Sequence, residues 1–433
     1  MILASFYLAA TNTPLLKPMN IIKKIQNIQI YLLLNGSIIG ILAGLAVALF
    51  RYMLIAAGYI NEAIADEGAF LFYPVLLAFY YAVIVLCLKL DSSCSGSGIP
   101  RVKGELAGRL DTTWYKALTT MLIGSVCTIG SGMSMGQVGP SAQLGAMTAK
   151  GFSRLTKGIK NHEALFMAAG AGAGFAAVLN APLAGILFAF EEINKRFSSE
   201  LLLTSLTACA VSDFITSRLL DLEPLFTVEI SATLPVKNWW LLIIFGAVTG
   251  LAGVLYNRSI KLLQGCYKRI KILWLRMLAP IGATAALTFA YPYVLSDGST
   301  LIDDLVNGNH TFHALIILLL VKYIFTIVCF GSGAPGGLIG PVLVIGALMG
   351  CLFANAAGCG EYPGYFILLG MSGYFTAITR TPLTGIILMS EISGSLAYLP
   401  SIALVCIISY VTAALMKSKP IFDQLLENIL KST

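Results

Sequence analysis

Hydrophobic residues in this chain do not alternate with polar ones; they gather in long runs. Apolar stretches lie near 32–56, 69–90, 113–130, 239–256, 272–295, 313–330 and 398–416. Each approaches or exceeds the roughly 20 residues a helix needs to cross the hydrocarbon core of a bilayer. A second kind of apolar stretch is interrupted by glycine and proline, at 136–149, 164–192, 336–357 and 364–392. The pattern predicts an all-α polytopic membrane protein in which whole spanning helices are mixed with broken, re-entrant ones. So little polar sequence separates the runs that no soluble domain of ordinary size fits between them.

Composition sharpens this reading. The chain is 57% hydrophobic and 11% charged, whereas soluble domains carry about 25% charged residues. The opening "MILASFYLAA" lacks the basic flank of a secretory signal, so no cleaved peptide is expected. Basic residues cluster at Lys23–Lys24, Lys150–Lys160, Arg258–Arg276 and Lys417–Lys419, and acidic ones at 62–67, 221–229 and 297–304. Basic loops stay on the cytoplasmic side. Both termini and the 258–276 loop are therefore expected in the cytoplasm, with the compact chain in a prokaryotic inner membrane. Each basic cluster is a short loop between membrane segments, which argues against a nucleic-acid partner. The nine cysteines show no C-x-x-C spacing and read as packing residues, and the three histidines stand apart from carboxylates at metal spacing. Neither a metal nor a cofactor is expected.

The chain also resembles itself. "SGMSMGQVGPSAQLGAM" (131–147) aligns without gaps on "SGAPGGLIGPVLVIGAL" (332–348), with seven identities in seventeen positions. "APLAGILFAFEE" (181–192) aligns on "TPLTGIILMSEI" (381–392), pairing Pro182 with Pro382, Gly185 with Gly385 and Glu191 with Glu391. "GILAGLAVALFR" (40–51) matches "GAVTGLAGVLYN" (246–257). The segment at 32–56 runs from a basic flank to an acidic loop, and its partner at 239–256 runs from an acidic loop to a basic one. The halves are thus inverted, a transporter architecture whose substrate site lies near the midplane where broken helices meet. The expected division is a segment 1–30, a first membrane repeat 31–230 and a second, inverted repeat with a short tail 231–433, together one transmembrane domain.

Three segments break the apolar pattern just before helix-compatible sequence: "GSGIP" (96–100), "GQVGP" (136–140) and "GSGAPGGLIGP" (331–341). Irregular backbone at membrane depth survives only inside protein or beside a polar cavity. A helix start offers free N–H groups and a partial positive charge, and glycine lets a ligand approach the backbone closely. Several such ends aimed at one point would hold an anion weakly enough to release it, which suits a transported ion.

With their order and spacing, these motifs and the "EE" after "APLAGILFAF" resemble the signatures of the CLC chloride channel and transporter family, from about residue 35 to "KPIF" (419–422). The resemblance implies a homodimer in the lipid bilayer, with a separate chloride pathway in each protomer and small anions held at helix N-termini. Residue by residue, it implies an anion-binding set of Ser97, Gly98, Ile99, Gln137, Val138, Gly139, Leu338, Ile339 and Phe422. Ser97 falls at the hydroxyl ligand for the central anion, and Leu338 and Ile339 at backbone donors from the second half. Val138 stands where most members carry a gating glutamate, Gln137 where a basic residue is usual, and Phe422 where a tyrosine is usual. Glu192 matches the inner proton-transfer glutamate of exchangers. It also admits a purely structural role, capping a helix or pairing with Lys195 or Arg196.

Valine cannot exchange a proton at any accessible pH. The expectation is therefore passive, uncoupled chloride conduction. The alternative is a proton-coupled exchanger of chloride or another halide that uses another carboxylate or water for the proton. An enzyme is not expected: a serine nucleophile in "GSG" would need a general base, and His162, His310 and His313 all fall in or beside loops.

Overall fold

The computed structural model describes residues 18–66, 72–156, 162–228, 230, 232–308 and 310–431. The opening segment 1–17 lies outside the described residues, as do 157–161 and the side chains of Lys23 and Lys24. From the N-terminus the first half runs through α1 (Pro18–Asp66), α2 (Tyr73–Leu90), α3 (Ile99–Leu106), α4 (Trp114–Gly130), α5 (Val138–Leu155), α6 (Glu163–Leu179), α7 (Pro182–Phe188) and α8 (Ser199–Asp213). The second half runs through α9 (Trp240–Arg269), α10 (Leu273–Ala290), α11 (Ser299–Asn307), α12 (Phe312–Gly331), α13 (Ile339–Ala356), α14 (Pro363–Thr379), α15 (Pro382–Ile392) and α16 (Leu399–Leu415), followed by α17 (Ile421–Leu430). All seven uninterrupted apolar runs become helices. The run at 272–295 stops short, at Ala290, because Pro292 cannot continue the helix and opens a 3₁₀ turn instead.

Glycine and proline set the other boundaries. Pro100, Pro140 and Pro341 lie in the first turns of α3, α5 and α13, where N–H groups have no intrahelical acceptor to lose. Elsewhere side chains cap: Ser198 accepts from Leu201 N at the start of α8, and Thr311 accepts from Ala314 N at the start of α12.

The internal repeat is visible element by element as an inverted repeat. α6 ends at Asn180 (φ 52°) and α14 at Arg380 (φ 67°), both left-handed, and each is followed two residues later by the proline that opens the next helix. Gly145 of α5 meets Gly170 of α6 so closely that a Cβ on either would strike the other's backbone. The equivalent Gly346 and Gly370 do the same between α13 and α14. Small residues of this kind are what let helices touch inside a bilayer. The two halves also cap one another. The Glu391 carboxylate accepts from Leu183 N (2.9 Å) and Ala184 N (2.7 Å) at the start of α7, while Glu191 accepts from Leu383 N (3.1 Å) and Thr384 N (2.8 Å) at the start of α15.

Burial identifies the centre. In the apolar window of α13, 78% of residues are buried inside the protein, against 28% for α2 and 17% for α10. The last two leave most of their residues uncovered by the rest of the chain. α5, α6 and α14 are buried along nearly their whole length. The break-opened helices therefore form the core, and the smooth apolar ones form the wall. Eight of the nine cysteines are buried there, and Cys266 is exposed.

Candidate functional site

The three broken segments come together. Gly136 N donates to Gly337 O and Gly337 N donates to Gly136 O, each at 2.7 Å. Gly336 N donates to Gly96 O at 3.1 Å, and Gly96 N to Ala334 O at 3.3 Å. A Cβ on Gly139 would lie 2.5 Å from the Ser97 carbonyl oxygen and 3.0 Å from Gly337 Cα. Residues from the starts of α3, α5 and α13 thus share one small volume. Each helix brings to it N–H groups without helical acceptors and the positive end of its dipole.

Ser97 is 2% exposed, and its Oγ has no hydrogen-bond partner among the described residues. A buried hydroxyl is ordinarily paired, so this one is available to a ligand. Gly98 (φ 79°) holds the turn into α3, and a side chain there would strike Gln143. Ile99, Val138, Gly139, Leu338, Ile339 and Phe422 are all buried. The structure joins Ser97, Gly139 and the 336–337 backbone directly. Phe422 stands apart in sequence on α17, which packs against α3 through Leu426 beside Gly104.

Around this junction stand charged groups that the motifs did not mark. Asp297 is 5% exposed; its Oδ2 accepts from Gln137 Nε2 at 3.2 Å and its Oδ1 from Ser299 N at 3.1 Å. A Cβ on Gly340 would lie 3.1 Å from Asp297 Cβ and 3.3 Å from Gly136 Cα. The carboxylate therefore rests against the first turn of α13 and the N-cap of α5. Fully buried Lys322 lies nearby, donating to Val294 O at 2.8 Å and Ser296 O at 3.1 Å. Gln137, at the position where the resemblance implies a basic residue is usual, donates to the Asp297 carboxylate.

Glu192 sits in a π turn, Ala189–Asn194, that continues α7. It pairs with Lys103 of α3, and not with Lys195 or Arg196 as its neighbours in sequence suggested. Lys103 also reaches Asp423 of α17 at 2.6 Å, and Lys195 pairs with Asp423 from outside. Glu192 is 1% exposed, so a protonatable group is present but clamped by a cation. Asp423 lies outside the spans. Burial alone would raise its pKa, yet Lys103 and Lys195 hold it below the usual carboxylate value. His313 falls in the first turn of α12 and is exposed.

The chain has relatives along nearly its whole length. The family described as "Voltage gated chloride channel" matches residues 78–414. The H(+)/Cl(-) exchange transporter ClcA of Vibrio cholerae serotype O1 is 30% identical over 418 residues, covering 91% of this chain and 89% of the relative. The protein of the same name from Vibrio parahaemolyticus is 28% identical over 424 residues, covering 92% and 90%. Among solved structures, a slow cyanobacterial Cl-/H+ antiporter superposes with a TM-score of 0.86 at 25% identity, over 92% of this chain and 98% of the other. A CLC-type fluoride/proton antiporter superposes at 0.79 with 22% identity, over 90% and 96%, and speaks to the fold alone. Both Vibrio relatives are named as exchangers and both solved structures as antiporters. Paired helix starts, the repeat and the matched length lead to one conclusion: the chain is a membrane-embedded anion transporter belonging to the CLC voltage-gated chloride channel family.

Proposed function

We propose that this chain exchanges chloride for protons, with the anion held where Ser97, Gly139 and the 336–339 segment meet. The observation that carries the anion half is the buried, unpartnered Ser97 hydroxyl at a junction of three helix starts. The proton half is supported by the names of the relatives, exchangers that match this chain over nine-tenths of its length. Val138 supplies no carboxyl, so the outer proton needs another carrier. Asp297, held by Gln137 beside Gly340, is the candidate on the outer side, and Glu192 is the candidate on the inner side. Leu338 and Ile339 are read as backbone donors to the anion, and Phe422 as its apolar neighbour from α17.

A second reading, uncoupled chloride conduction, is favoured by one specific pair of facts: the valine at 138, and the cation that clamps Glu192. Reconstituted vesicles separate the two. Under exchange, a proton gradient alone drives chloride against its own gradient, and Glu192→Gln abolishes that uptake while leaving downhill flux. Under uncoupled conduction, no proton gradient moves chloride uphill.

The homodimer with one pathway per protomer, the cytoplasmic termini, the inner-membrane location and the division at 30 and 230 follow from the resemblance and the charge pattern. Sedimentation in detergent tests the first. Cysteine labelling from either side of the membrane tests the orientation.

A further inference from the structure

A cavity of about 660 Å³ lies on the face that carries the basic 258–276 connection, and its inner end reaches Ser97. Four cationic side chains line it: Arg101 from α3, Lys268 from α9, Arg276 from α10 and Lys431 just beyond α17. Among the described residues no aspartate or glutamate lines it. Among the described residues none of the four forms an ion pair. Asp91, near Arg101, is engaged instead with the backbone N–H and hydroxyl of Ser93. Arg101 is fixed by a bond from its Nη2 to Ser92 O at 2.5 Å. The Nε groups of Arg101 and Arg276 are shielded from solvent and have no hydrogen-bond partner among the described residues.

Like charges gathered around one cavity repel, and unpaired buried donors are costly. An anion relieves both. A guanidinium presents a planar fork that matches the oxygens of a phosphate, whereas a halide has no matching geometry. The volume falls in the range of small-molecule sites, far beyond what one halide fills.

We propose that this cavity is a second anion site, built from side-chain cations where the central one uses backbone amides, and that it binds a phosphate group. Its occupant stands across the approach to Ser97 and slows anion flux from that face. The slowing rests on the anion pathway proposed above; the binding does not. The phosphate belongs either to a soluble small molecule or to a lipid headgroup, since Leu88 and Leu273 also line the cavity.

Calorimetry on the purified full chain, titrated with pyrophosphate, tests the binding whether or not the protein carries chloride. We expect saturable binding that weakens roughly tenfold for each of Arg101→Gln and Arg276→Gln. Thermal melts check that both variants fold. If either fails to fold, Lys268→Gln and Lys431→Gln, at the cavity's edge, serve in its place. Absence of saturable binding, or unchanged affinity in every variant, overturns the site. Chloride flux is then measured with pyrophosphate in vesicles of phosphatidylcholine, and without it in vesicles doped with phosphatidic acid. Slowing by pyrophosphate identifies a soluble occupant, slowing only in doped vesicles identifies a headgroup, and slowing in neither overturns the blocking role.

Discussion

Gly136 and Gly337 occupy equivalent positions in the two repeats, and they hydrogen-bond to each other in both directions at 2.7 Å. Glu191 and Glu391 are also equivalent, and each caps the start of the helix that leads to the other. Such reciprocal contacts are what a pseudo-two-fold axis between halves produces. The glycine pair fastens the starts of α5 and α13 side by side.

Gly337→Ala tests that fastening. Its Cβ would lie 2.7 Å from Gly139 N and 2.8 Å from Gly136 O, both backbone atoms. Overpacking of this sort costs about 1–3 kcal/mol. The variant is expected to melt several degrees lower and to lose chloride binding by calorimetry. An unchanged melt with unchanged affinity would separate the glycine pair from the site.

Ser97→Ala should behave in the opposite way. Its Oγ makes no bond within the protein, so stability should hold. The loss of one donor to a bound anion should weaken chloride affinity by about 1 kcal/mol, or roughly fivefold. A large fall in melting temperature with affinity intact would assign the hydroxyl to the fold.

Asp297→Asn keeps the shape of the side chain and removes its proton chemistry. Proton-driven chloride uptake should disappear, while downhill chloride flux continues or rises because a negative charge has left the entrance. Full proton-driven uptake in this variant would move the outer carrier elsewhere.

Asp423 links stability to pH. Its folded pKa lies below the ordinary 3.8 because Lys103 and Lys195 outweigh the effect of burial. A depressed carboxylate contributes stability that is complete above its unfolded pKa and is lost as pH falls through the folded one. Melting temperature should therefore drop below about pH 4 in the native chain. In Asp423→Asn the acid limb should be shallower and the plateau lower. Identical acid limbs would show that the pair with Lys103 contributes nothing.

The helix starts and the internal repeat were legible in the chain itself. Glycine and proline announce where α3, α5 and α13 begin, because few other residues permit those turns, and the repeat could be aligned by eye. The stretch at 336–357 read as interrupted, yet the interruption ends at Leu338 and α13 runs on unbroken for 18 residues. The charged shell was not legible. Lys103 lies 89 positions from Glu192, and Asp297 lies 160 from Gln137, separations that no local pattern encodes. Lys195, one of the two partners expected for Glu192, takes a left-handed backbone step (φ 54°) and pairs with Asp423 instead.

The decisive measurement is chloride uptake into vesicles holding the purified chain, with equal chloride on both sides and a proton gradient as the sole driving force. Accumulation of chloride against its own gradient, collapsing when a protonophore is added, is the predicted result. Chloride that stays level while downhill flux proceeds would contradict exchange, and a chain that passes no halide under either condition would contradict the anion site itself.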